Sequence, residues 1–111
     1  MDFTISQNNG TAIVTSNVEK LNASNASGLK AELVVLGKNS VNNIVIDMTA
    51  SKYCDSSGLS ALLVANRMCK DTNGKFVLCG LKPNVQKLIE IAQLDKVLTI
   101  TSTPEEALAK I

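Results

Sequence analysis

Two short, purely apolar runs, Ile44-Val45-Ile46 and Phe76-Val77-Leu78, constrain this chain more than any other feature. Neither run alternates with polar residues, so a strand formed from either must be covered on both faces. Between them, Gly58, Ala61, Leu62, Ala65, Cys69 and Thr72 recur at helical spacing, and Asn73-Gly74 closes that segment. A buried strand, a crossover helix and a second buried strand make a parallel unit with a right-handed connection.

The alternation extends in both directions. Phe3 and Ile5, then Ile13 and Val14, fall in two Thr/Ser-rich segments separated by Asn8-Asn9-Gly10. Asn-Gly between such segments predicts an antiparallel hairpin. Residues 22–25 are polar and cap-like, and Ala26, Leu29, Leu33 and Leu36 follow at helical spacing, with Gly37 as the expected stop. Gly28 inside that helix costs about 1 kcal/mol relative to Ala, so packing must hold it. Pro83 opens a third helix carrying Val85, Leu88, Ile89 and Ala92 on one stripe. Residues 97–100 read as the last strand. Thr103-Pro104-Glu105-Glu106 supplies an N-cap, a proline at the first helical position and a capping-box glutamate. The predicted order is β-β-α-β-α-β-α-β-α: one α/β domain over residues 1–111, with a mixed, mostly parallel sheet, an N-terminal antiparallel hairpin and about four helices.

Composition bounds what such a domain does. The 111 residues suffice for a real core. A formal net charge of +1 argues against nucleic acid or an anionic membrane as a partner, since both select a Lys/Arg excess. The chain has no His, which removes His-based triads, His metal sites and the commonest general base. Cys54, Cys69 and Cys79 are odd in number and form no C-x-x-C pair, so they read as reduced thiols acting as small apolar residues. No signal peptide and no membrane-length apolar run is visible, which points to the cytoplasm. No phosphate-binding loop or dinucleotide fingerprint occurs, so no cofactor and no metal is expected. The lysines Lys70, Lys75, Lys82 and Lys87 are scattered and read as solvated surface.

The segment Tyr53-Cys54-Asp55-Ser56-Ser57-Gly58-Leu59 stands at the entry to the second helix. Asp55, Ser56 and Ser57 are each good N-cap residues and a helix needs one, so a plain helix start accounts for the segment. A second reading uses the free N–H groups and the dipole at that end, which stabilise a phosphate there. A serine hydroxyl in this position can carry a phosphate at low conformational cost, with Asp55 beside it repelling the new charge. A nucleophilic serine needs a base; without His, only a Ser/Lys arrangement with Lys52 or Lys70 remains, and the G-x-S-x-G elbow is absent.

At these residues the sequence resembles the STAS domain family, the anti-sigma factor antagonists of bacteria. Asp55-Ser56-Ser57-Gly58-Leu59, preceded by Ile44-Val45-Ile46-Asp47, is similar to the family signature. Lys75 to Leu81 with Pro83-Asn84-Val85, the stretch from Ile91 to Leu98, and Thr103 to Leu108 extend the similarity over essentially the whole chain. The resemblance implies a protein–protein switch rather than an enzyme. The unphosphorylated antagonist binds an anti-sigma factor that is also a serine kinase, and a sigma factor is released for transcription. Phosphorylation switches the antagonist off, and a metal-dependent serine phosphatase restores it. Carried over, Ser56 is the phosphoacceptor, and the partner-binding set is Asn22, Ser24, Asn25, Cys54, Asp55, Ser56, Ser57 and Gly58.

Two stretches depart from the family pattern. Glu19-Lys20-Leu21-Asn22 stands where the family has Gly-x-Leu-Asp, so Asn22 offers a cap without the negative charge. Cys54 stands where Met is common. The expected binding face joins the loop at residues 22–25 to the connection at residues 52–57 and the first turn of the Ser56 helix. A phosphate adds about −1.5 to −2 charges, which takes the formal +1 to roughly −1. The family also implies an alternative, a STAS subunit with no phosphorylation cycle inside a lipid-transport ATPase complex or a stress-sensing scaffold.

Overall fold

The computed structural model describes residues 1–111. Its main sheet has five strands in the order β1-β2-β4-β6-β7, comprising Phe3–Asn8, Thr11–Ser16, Asn43–Asp47, Phe76–Cys79 and Thr99–Thr101. The first pair is antiparallel, and every other pairing in this sheet is parallel. Asn9 and Gly10, both at positive φ, make the two-residue turn between β1 and β2.

The strands follow one another across the sheet without reversal, so right-handed crossovers put their helices on one face. Those helices are α1 (Ala26–Lys38), α2 (Ser56–Asp71) and α3 (Pro83–Ile91). The short α4 (Pro104–Ala109) closes the chain and covers the opposite face. The strand side chains divide accordingly. Ile44, Ile46, Phe76 and Leu78 join the large core beneath α1, α2 and α3, while Val45, Val77 and Cys79 pack with Ala107 of α4. This two-sided burial is why neither apolar run alternates with polar residues. A sheet without a change of direction also lacks the switch-point crevice where open α/β sheets hold nucleotides.

Four details differ from the sequence expectations. Helix α1 does not stop at Gly37. It runs to Lys38 and ends where Ser40 takes φ +64°, with Val41 N–H donating to Leu36 O and Ser40 N–H to Gly37 O. The stop is therefore a left-handed closing turn that packs Val41 on Leu36. Helix α2 ends in the same way at Asn73 and Gly74, as expected. The last strand lies at Thr99–Thr101 rather than residues 97–100, because Leu94–Lys96 forms a 3-10 turn. The N–H groups of Val97 and Leu98 both donate to Leu94 O and cannot join the sheet. On the α3 stripe, Val85 and Ile89 are buried, Leu88 is half-buried and Ala92 is exposed. Finally, two residue pairs that the sequence left as connections, β3 (Lys20–Leu21) and β5 (Tyr53–Cys54), form a separate parallel sheet.

Candidate functional site

The small β3–β5 sheet builds the candidate site by joining its two halves. Glu19 O accepts from the N–H groups of Lys52 (2.8 Å) and Tyr53 (3.1 Å), and Leu21 O accepts from Asp55 N–H (3.1 Å). The loop before α1 and the connection before α2 therefore share a backbone. Below them a buried hydroxyl pair, Ser16 Oγ and Ser51 Oγ at 2.8 Å, fastens the connection to the end of β2, and Ser51 also donates to Val18 O. Both serines are fully buried and hydrogen-bonded, as buried polar groups must be.

Helix α2 starts on its own cap. Asp55 is extended, and its Oδ1 accepts from Gly58 N–H at 3.0 Å. Leu59 N–H goes to Asp55 O, which leaves the amides of Ser56 and Ser57 as the free donors of the first turn. Ser56 is exposed, Ser57 half-buried and Gly58 buried. Gly58 has a packing reason rather than a conformational one. A Cβ there would lie 2.5 Å from Leu21 O and 2.7 Å from Cys54 Sγ, so only glycine lets α2 sit down on β3. Burial, with Asp55 as the lesser cause, pushes the Cys54 thiol up to about 11. At neutral pH it is a protonated, half-buried filler beside Gly58, packed against the large core.

The start of α1 is organised differently. Asn22 is not the cap of this helix: its Oδ1 accepts from Ser24 N–H (3.0 Å) and Ser24 Oγ–H (2.7 Å), closing a turn inside the loop. Asn25 occupies the N-cap position with no capping bond from its side chain. That side chain turns backward, accepting from Asn22 N–H at 2.9 Å and donating to Lys20 O at 2.8 Å. The first turn closes instead on backbone, with Ala26 N–H on Asn22 O.

The eight residues expected at the binding face thus lie on two segments that the β3–β5 pairing joins. Sequence reasoning missed what lies beside Ser56. A cleft of about 370 Å³ runs between the starts of α1 and α2, lined by Ala23, Ala26, Ser27 and Lys30 on one side and Ser56, Ser57 and Ser60 on the other. Ser27 and Lys30 are three residues apart on α1, on the stripe next to its buried face. Only the pairing of α1 with α2 makes them neighbours of Ser56. Tyr53, within the connection expected at the binding face, is 44% exposed, with Lys20 Nζ 5.8 Å from its ring centre. No helix is long and apolar enough to cross a membrane.

Comparison with known proteins gives three findings. The family profile of the STAS domain matches residues 2–107. BtrV of Bordetella bronchiseptica, named as a candidate anti-sigma factor antagonist, is 30% identical over 89 residues, which is 80% of this chain and 77% of that protein. Two solved structures share the fold. One, a candidate anti-sigma factor antagonist from Thermotoga maritima, has a TM-score of 0.90 at 22% identity, covering 98% of this chain and 93% of the other. The second, the Bacillus cell fate determinant SpoIIAA in its phosphorylated form, has a TM-score of 0.76 at 19% identity over 97% of each chain.

Proposed function

The chain belongs to the STAS domain family, and on that premise we propose that it is an anti-sigma factor antagonist whose binding is switched off by phosphorylation at Ser56. The observation that carries this reading is the exposed Ser56 at the first helical position of α2. Its backbone is held by the Asp55 cap below it and by the β3–β5 sheet beside it. The name of BtrV and the phosphorylated form of SpoIIAA support the same reading.

In this account the protein is a substrate and a binding partner, not an enzyme, and it works in the bacterial cytoplasm. Unmodified, it docks the face around Ser56 on an anti-sigma factor that carries serine kinase activity, and the sigma factor is freed. The kinase holds ATP. Ser56 Oγ attacks the γ-phosphorus, the new O–P bond forms as the bond to the β-bridging oxygen breaks, and ADP leaves. The hydroxyl proton passes to a base on the kinase. A metal-dependent phosphatase reverses the modification by hydrolysis. A phosphate adds about −1.5 to −2 charges at a point that docking would desolvate, and burying net charge that the partner does not match weakens an interface by orders of magnitude.

Intact-mass measurement before and after incubation with ATP and the cognate kinase tests the assignment. One phosphate adduct is expected on the natural chain and none on Ser56→Ala. An adduct that persists on Ser56→Ala moves the site to another serine, with Ser57 the nearest. No adduct on the natural chain, together with purification inside a transport or scaffold assembly, replaces the switch with the unphosphorylated-subunit reading.

A further inference from the structure

The cleft beside Ser56 says where a phosphate would go. Its wall carries one ionisable side chain, Lys30 of α1, among the hydroxyls of Ser27, Ser57 and Ser60. Asp55 does not line it, because its carboxylate is turned onto Gly58 N–H. A group on Ser56 that enters the cleft would stand among Ser27, Ser57, Ser60 and Lys30. Lys30 is half-buried, and partial removal from water strengthens a charge-assisted pair with phosphate relative to a fully exposed one. A volume of about 370 Å³ accommodates a phosphate without displacing either helix. Lys20 and Lys52 do not line the cleft: Lys20 lies over the Tyr53 ring, and Lys52 is exposed on the connection before β5.

We propose that Lys30 receives the phosphate on Ser56, so that modification fills the α1–α2 cleft with a lysine–phosphate pair. The proposal rests on the reading of Ser56 as the phosphoacceptor and adds the residue that holds the product. It also reverses a sign. Repulsion from Asp55 alone would make the phosphorylated chain less stable, whereas pairing with Lys30 across two helices makes it more stable. Lys30 is in this sense a positioning residue, since it orients the phosphate and takes no part in its transfer.

The test uses full-length chain with phosphoserine installed at position 56 by an expanded genetic code, which needs no kinase. Failure of kinase labelling would then count against the switch reading alone. Phosphorus NMR titration reads the second ionisation of the phosphate. An opposite charge favours the dianion, so the natural chain should ionise about half a pH unit or more below Lys30→Met, with Lys30→Arg restoring the shift. The melting temperature of the natural chain should rise by roughly 2 °C on phosphorylation, and that rise should vanish in Lys30→Met. Equal phosphate ionisation in the natural chain and Lys30→Met overturns the proposal, whatever the stability of the variant. A fall in melting temperature that is the same in both would return the site to repulsion by Asp55.

Discussion

The starts of α1 and α2 lie side by side, both are polar, and both were expected to meet the partner, yet they are built on opposite plans. At α2 one side chain, Asp55, caps the first turn through Gly58 N–H, and Ser56 is left exposed. At α1 the polar side chains serve their own loop: Asn22 holds Ser24, and Asn25 holds Asn22 and the Lys20 carbonyl. The contrast separates two roles that one polar surface would hide. On the proposed reading, the α1 loop is the platform and α2 presents Ser56 upon it. A side chain whose donors and acceptors are already engaged must break those bonds before it can bind anything else.

That division can be broken in graded steps. Gly58→Val strikes at the seam between the two starts, where even a Cβ lies 2.5 Å from Leu21 O. A loss of about 3 kcal/mol or more is expected in chemical denaturation, because the clash is with backbone that the β3–β5 pairing fixes. Asn25→Ala removes two hydrogen bonds of the platform and should cost about 2 kcal/mol. Backbone amides of residues 20–25 should then exchange with solvent faster, while those of α2 keep their protection.

Asp55→Ala removes the cap of α2 and should cost about 1 kcal/mol, whereas Asp55→Asn keeps an acceptor and should stay within about 0.5 kcal/mol. Equal losses in the two variants would mean that the charge of Asp55, and not its cap, stabilises the start of α2. Ser24→Ala touches only exposed bonds inside the loop and should change stability by less than about 0.5 kcal/mol. The smallest effect is expected from pH near neutrality. The chain has no His, and burial raises the thiols of Cys54 and Cys69 to about 11 and that of Cys79 to about 12. Each raised thiol contributes stability that is fully present below its ordinary value of 9.0 and is lost as pH rises through its folded value. Thermal melts should therefore be flat from about pH 6 to 8 and decline only above pH 9.

Much of the architecture was legible because it follows from periodicity. The two apolar runs demanded cover on both faces, and the structure supplies three helices on one face and α4 on the other. The Asn9-Gly10 turn and the Thr103 cap follow from local chemistry, and both form where the sequence places them. In the latter, Thr103 Oγ1 accepts from Glu106 N–H, while Glu106 reaches back one residue further than expected, to Ser102 N–H. What escaped was non-local. A strand of two residues has no period to detect, so Lys20-Leu21 and Tyr53-Cys54 could be paired only in three dimensions. Lys30 looks like an ordinary charge on α1 until α2 is laid beside it. The α1 stop misled for a different reason, since glycine is the usual left-handed residue and here Ser40 takes that conformation while Gly37 stays helical.

The central claim is that the α2 start is a binding surface whose state is written on one hydroxyl. Its most direct test is calorimetric titration of the cognate anti-sigma factor with the unmodified chain and with the same chain carrying phosphoserine at position 56. The account predicts a loss of affinity of at least about a hundredfold on phosphorylation, with the fold unchanged by circular dichroism. Equal affinity of the two forms would contradict it.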